Sequence, residues 1–282
     1  MPEPIDRLSS LLERFRVRAH LLHSGALCGL TQFDVQPGRG FLHVLRRGKM
    51  VVVHRPASGL LLRQPVQAPS LLFYPRPIAH QFENAPLDGS DFTCATLDFA
   101  GGANHPLARA LPSLVLLPLS AIDGLDLSLT LLFAETDQVR CGHRLLADRL
   151  FEVVLIQLLR WLLDHPDEGK IPTGLLTGFA DARLSRALVA MHEEPGSAWT
   201  LARMAEKAGM SRSAFAVRFK EAVGETPSDY LASWRLTIAQ ARLREGQSVK
   251  VIANELGYGN ASALSRLFTK KLGKSPRQWQ GE

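Results

Sequence analysis

Hydrophobic positions change their period several times along the chain. Within residues 1–16, Leu8, Leu11, Leu12 and Phe15 fall on one helical face. From Val17 to about Leu119 the apolar runs are short, HVLRRGKMVVVH, GLLLRQPV and APSLLFYP among them, and Gly, Pro and Ser separate them. That pattern predicts short strands joined by turns, hence a barrel or sandwich, and a roll of this kind encloses a pocket. Over residues 142–165 the period becomes helical again, with Arg149, Glu152, Gln157, Arg160 and Asp164 on the polar side. The apolar face left over is wider than one packing partner needs. Pro166 to Thr177 is rich in Pro, Gly and Thr, which predicts an interdomain linker over residues 166–180.

The last third of the chain writes one pattern twice. Ala205-x3-Gly209 recurs as Ala253-x3-Gly257, and Phe215-x3-Phe219-x4-Gly224-x2-Pro227 recurs as Leu264-x3-Phe268-x4-Gly273-x2-Pro276. Each copy reads as helix, tight turn and second helix: the alanine is small because the second helix crosses over it, and the glycine accepts the positive φ of the turn. Thr200 and Ser211 are placed to cap the first pair of helices. Thr226-Pro227-Ser228-Asp229 predicts the start of a connecting helix that stops at Gly246, about 28 Å long at 1.5 Å per residue. Such a helix holds two recognition helices close to the ~34 Å repeat of successive major grooves.

Charge singles out the same region. Residues 197–282 carry 14 Lys and Arg against 7 Asp and Glu, whereas residues 1–196 carry 19 against 20. The basic excess therefore sits on the repeated motif, as attraction to phosphate requires. Composition excludes other classes: 3 cysteines at irregular spacing build no disulfide framework, and the most apolar stretch, Leu150 to Leu163, is interrupted by Glu152, Gln157 and Arg160. A reducing cytoplasm is the expected compartment.

The segments GYGNASALSRLFTKKLGKSP and MSRSAFAVRFKEAVGETP resemble the two-motif DNA-binding domain of the AraC/XylS family of bacterial transcription regulators, with Ala263-Leu264 where an aromatic pair is usual. The resemblance implies that Ser213, Ala216 and Val217 of the first recognition helix and Ser262, Ser265 and Arg266 of the second face base edges. Arg266 suits paired hydrogen bonds with guanine, and Val217 suits thymine methyls. Arg212, Lys220, Lys270 and Lys271 then hold phosphates. It also implies a homodimer, double-stranded DNA and RNA polymerase as partners, and no cofactor; Leu155, Leu159 and Leu162, at helical spacing in the stretch assigned to dimerisation, are expected at the seam, with core packing as the alternative.

The roll resembles the cupin-type sensor of such regulators through Phe41-Leu42-His43, Gly48, Pro75-Arg76-Pro77-Ile78-Ala79-His80, Asn84 and His105-Pro106-Leu107, with Pro77 where glycine is expected. His43, His54 and His80 are the metal-ligand candidates, and nothing in the sequence supplies the carboxylate. Cys28 and Cys94 match the cysteines of hypochlorite-responsive members, which implies an oxidant response beside the alternative of a small organic effector. The expected fold is thus α+β with two domains: a cupin-like β-roll with a helical dimerisation segment over 1–165, and an all-α double helix-turn-helix domain over 181–282. A DNA-binding protein whose roll only dimerises is the competing reading, and a metal-dependent cupin enzyme leaves residues 183–281 unexplained.

Overall fold

The short apolar runs after residue 16 do form strands. A computed structural model, which describes residues 5–55, 59, 61–84, 89–100, 102 and 105–280, contains β1 (Val17–Leu27), β2 (Leu30–Phe33), β3 (Arg39–Arg47), β4 (Lys49–His54), β5 (Leu62–Gln67), β6 (Ser70–Tyr74), β7 (His80–Asn84), β8 (Ser90–Phe99) and β9 (Val115–Pro118). They pair antiparallel in two sheets, ordered β1-β8-β3-β6-β9 and β2-β7-β4-β5. Side chains alternate across a strand, so Phe41, His43 and Leu45 of β3 share one face and Leu42 and Val44 the other. All five are buried because β3 lies inside the five-stranded sheet with both faces covered. Phe41, Leu45, Met50, Tyr74, Phe82 and Phe92 join the two sheets in one core.

The described α-helices of this unit are α2 (Pro106–Ala110), α3 (Leu125–Asp137) and α4 (His143–Asp164), with a 3-10 turn at Leu119–Ala121. α4 covers the free edge of β1. Asp148 Oδ1 accepts from the Leu21 amide at 2.6 Å and Glu152 Oε1 from the Ala19 amide at 3.3 Å. Two acids one helical turn apart thus satisfy two edge amides that would otherwise template another strand. Leu155, Leu159 and Leu162, expected at a subunit seam, are core residues instead, exposed by 3%, 0% and 1%. Their spacing reports a buried face but not what buries it. The exposed large apolar side chains of the α3–α4 hairpin are Leu127 and Leu131 on α3, Val139 in the connection, and Leu145, Leu146 and Val153 on α4.

The chain divides into Arg16–Ile171 and a second unit made of Met1–Phe15 with Pro172–Glu282. This differs from the expected domains in two places. The first helix, α1 (Ser9–Arg14), belongs with the C-terminal unit: Leu11 is fully buried, Phe15 meets Trp234 edge-on at 5.2 Å, and Arg7 donates to the Phe179 carbonyl at 3.2 Å. The expected linker also folds in part, as α5 (Leu175–Ala180), because Leu175, Leu176 and Phe179 fall on one side of six residues and are buried.

The remaining helices of this unit are α6 (Leu184–Glu193), α7 (Leu201–Lys207), α8 (Arg212–Val223), α9 (Pro227–Arg244), α10 (Val249–Glu255), α11 (Ala261–Leu272) and α12 (Pro276–Gln280). His192 of α6 joins that helix to α5 and α9. Its ring stacks on Trp234 of α9 at 3.6 Å, meets Phe179 of α5 at 5.4 Å, and its Nε2 lies 2.6 Å from the Tyr230 hydroxyl. Burial, and then the Arg14 charge, push its pKa down to about 3, so the ring is neutral.

The packing of α1 predicts that Leu11→Ala destabilises the C-terminal unit by about 2–5 kcal/mol, the range for a buried leucine truncation. Denaturant unfolding followed by tryptophan fluorescence measures it, and a midpoint equal to the wild type's would contradict the placement of α1.

Candidate nucleic-acid interface

Both repeated segments fold as helix-turn-helix corners. Gly209 and Gly257 take φ values of +62° and +73° in the two turns, and Ala205 and Ala253 are buried beneath the crossing helices. Side-chain caps start each helix: Thr200 accepts from the Arg203 amide at 3.2 Å, Ser211 from Ala214 at 3.3 Å, Ser248 from Val251 at 3.4 Å and Asn260 from Ala263 at 2.9 Å. Phe215 and Phe219 anchor α8 from within, and Leu264 and Phe268 do the same for α11. The opposite faces are therefore fixed. α9 connects the corners over 18 residues, about 27 Å, capped at Thr226 as the sequence predicts.

On α8 the outward positions are Arg212, Ser213, Ala216, Val217 and Lys220, with Ala216 half-buried. On α11 they are Ser262, Ser265, Arg266 and Lys270, with Ser265 half-buried. The repeat aligns Val217 with Arg266, so the two corners present different chemistry at one place. Val217 leaves 59% of its surface exposed, a large value for a valine. Arg212, Lys220, Arg266 and Lys270 make no hydrogen bond or ion pair to the described residues, which leaves their charges available to a polyanion.

Two expected site residues are otherwise engaged. Lys271 points Nζ back toward the Ser233 hydroxyl of α9 at 3.5 Å, and Ser265 donates to its own helix at the Ala261 carbonyl, 2.9 Å away. Arg218, which is not among the motif positions, pairs with Asp181 just before α6 and so ties α8 to the body of the unit. Burial pushes the Asp181 carboxyl up, yet the Leu184 amide and the Arg218 guanidinium hold it below the usual range. A salt bridge of this kind has no sequence signature, since its partners are 37 residues apart.

In the roll, His43, His54 and His80 do come together. His80 donates from Nδ1 to the Ile78 carbonyl at 2.9 Å, which makes its Nε2 an acceptor for the Nε2–H of His43, also at 2.9 Å. Tyr74 stacks on His80 at 4.0 Å. Burial lowers the pKa of all three histidines, His80 to about 4 and His43 well below its ordinary value with help from the His80 charge. A cupin metal would need three or four convergent donors. These residues do not fit one: His43 and His80 spend their facing nitrogens on each other, and among the described residues no three His, Cys, Asp or Glu side chains are placed to hold a metal ion. A cavity of about 280 Å³ opens beside them, lined by Gln32, His54, Arg55, Arg63, His80 and Gln81 among others.

The two singled-out cysteines lie apart. Cys94 is fully buried on β8 between His23 and His43, and burial pushes its thiol pKa up. Cys28 is exposed, beside Gly89. Leu27 pairs with Ser90, so Cys94 lies five residues beyond the position opposite Cys28. At ~3.3 Å per residue that is on the order of 16 Å, beyond the ~7 Å limit for a direct disulfide.

Comparison with known proteins agrees with this geometry. A cupin family profile matches residues 6–164 and a helix-turn-helix domain profile residues 204–282. A putative AraC-like transcription regulator of Streptomyces lividans is 32% identical, with 98% of each chain covered. Another, of Streptomyces antibioticus, is 35% identical over 64% of this chain and 60% of its own length. The RCS-specific HTH-type transcriptional activator RclR of Escherichia coli (strain K12) is 28% identical over 75% of both chains.

The histidine cluster predicts how the roll responds to acid. His43 and His80 are held neutral when folded but have ordinary values near 6.5 when unfolded, so the unfolded chain binds more protons below that pH. Stability is complete above about pH 6.5 and falls as the pH drops toward about 4. Thermal unfolding across pH 4–7 should show that loss, and His43→Leu should flatten it; an equal slope in the variant assigns the acid sensitivity elsewhere.

Proposed function

This chain belongs to the AraC-like transcription regulators, with a cupin domain ahead of a helix-turn-helix domain, and from that premise we propose that both of its corners read one DNA duplex while the roll senses a small molecule or oxidant and pairs two chains. It is a DNA-binding regulator and not an enzyme. The observation that carries the reading of both corners is the pair of equivalent outward faces on α8 and α11, each with cations unclaimed by the described residues. The second corner reads by hydrogen bonding through Arg266 and Ser262, and the first by apolar contact through Val217 and Ala216 with Ser213 beside them. Arg212, Lys220 and Lys270 supply sequence-independent attraction to phosphates. Lys271, turned toward α9, contributes as a more distant charge.

Dimerisation rests on the α3–α4 hairpin. Leu127 and Leu131 are one helical turn apart on α3 and exposed by 78% and 60%, and Leu145 on α4 is exposed by 63%. So much exposed leucine on one hairpin favours burial against a partner. For sensing, the cavity beside His54 and His80 supports an organic effector, and of the two family-matched cysteines Cys28 is the exposed one, open to an oxidant. No described helix is long and apolar enough to cross a membrane; the reading as a regulator of chromosomal DNA favours the bacterial cytoplasm as its compartment.

Arg266→Ala should cost about 1–3 kcal/mol on a duplex selected by the wild type and relax base preference at one position, while Lys270→Ala weakens all sequences alike and reduces the salt slope by about 1. Titrations on selected and scrambled duplexes at several salt concentrations measure both. Equal losses for Arg266→Ala on the two duplexes would move that side chain to the phosphate class, and a salt slope near zero in the wild type would remove DNA from the reading.

For the dimer, Leu127→Glu combined with Leu131→Glu should give a folded monomer in sedimentation velocity. Persistence of the dimer would place the interface on another surface.

A further inference from the structure

The two corners meet away from α9 as well as through it. Pro195-Gly196-Ser197, in the loop that enters α7, lies directly against the turn of the second corner. A Cβ at Gly196 would collide with the Glu255 carbonyl oxygen, and one at Gly257 with the carbonyl oxygen of Gly196. Arg235, near the middle of α9, spans this junction. Its Nε donates to the Pro195 carbonyl at 2.6 Å and its Nη2 to the Ser197 carbonyl at 3.0 Å, while the guanidinium lies 5.4 Å from the centre of the Tyr258 ring, just past the second turn. The same loop is bound into the first corner, where Trp199 Nε1 donates to the Glu194 carbonyl at 2.8 Å and Arg203 donates to the Ala198 carbonyl at 3.3 Å. Arg242 of α9 pairs with Glu255, the residue whose carbonyl faces Gly196.

We propose that Arg235, with the Gly196–Gly257 contact it braces, sets the distance and rotational phase between α8 and α11, and so determines which spacing of half-sites the protein accepts. Two corners joined by one helix alone can pivot at its ends. A pivoting second corner tolerates several spacings, whereas a fixed one meets its half-site at high effective concentration only when the spacing is right. The planar fork of arginine suits this role because it makes two directed bonds at once and still lies flat on an aromatic ring; lysine makes one such bond and no flat contact. Arg235 is half-buried on a connecting helix and outside the two outward faces, so it acts as a positioning residue. This inference rests on both corners engaging one duplex.

The test uses the full-length chain and a duplex selected from a random-sequence pool by the wild type. Binding is measured on that duplex, on versions with either half scrambled, and on a version with one base pair inserted between the halves. The wild type should lose on the order of a hundredfold on insertion, close to its loss when one half is scrambled. Arg235→Ala and Gly196→Ala should each bind single half-sites within about twofold of the wild type but lose most of the insertion penalty, and Arg235→Lys should fall between. Gly196 does not take a positive φ, so alanine there meets only the collision with Glu255 and serves as a second lesion should Arg235→Ala not fold. An unchanged insertion penalty in the folded variants, or half-site binding lost in parallel with it, overturns the role given to Arg235. A wild type indifferent to scrambling one half overturns the underlying two-corner reading instead, and is recognised before any variant is measured.

Discussion

The C-terminal unit depends on one neutral imidazole. His192 lies flat on Trp234, touches Phe179 and faces the Tyr230 hydroxyl, so a single ring joins α5, α6 and α9. Phe15 reaches the same tryptophan from the N-terminal end of the chain, and Phe219 brings α8 to Tyr230 at 5.5 Å. A charged ring here would be desolvated with no acidic partner among the described residues and would stand near the Arg14 guanidinium, so the packing and the low pKa require one another. The outward face of α8 is set by this arrangement, because the recognition helix points out only as far as its inner face is held.

The two corners obey the same backbone constraints and diverge at the surface. Both need a small residue under the crossing helix, a glycine in the turn and an aromatic or aliphatic anchor inside. None of these requirements reaches the outward positions, where Val217 and Arg266 stand in equivalent places. A duplicated scaffold can therefore carry one apolar and one hydrogen-bonding reader without any change of fold. Difference in chemistry at fixed geometry is what distinguishes two half-sites.

The roll shows the opposite economy. Its interior is filled by aromatic rings, with Phe41, Tyr74, Phe82 and Phe92 at 1% exposure or less, and its polar side chains are forced onto one another. His43 and His80 are satisfied as a pair while His43 Nδ1, His54 Nδ1 and the Tyr74 hydroxyl have no partner among the described residues. Such groups destabilise the folded unit, and of the three residues His54 lines the cavity of the roll.

How far the sequence reached follows from the range of each signal. The helix-turn-helix corners, their caps and glycine turns, and the basic excess around them were all legible, because each is a local requirement written within a dozen residues and then repeated. Strand-rich character between Val17 and Leu119 was legible for the same reason. What the sequence left open was pairing between distant segments. The apolar period of α4 announced a buried face, but only the tertiary structure assigned Leu155, Leu159 and Leu162 to the core and left Leu127 and Leu131 outside. Likewise α1 reads as an amphipathic helix in isolation, yet its partners Phe179, His192 and Trp234 lie more than 160 residues away. Cys28 and Cys94 matched one family pattern, and strand register alone separated them. Periodicity tells which side of an element must leave water; which surface receives it is decided by the packing of the whole unit, where burial and steric fit are settled together.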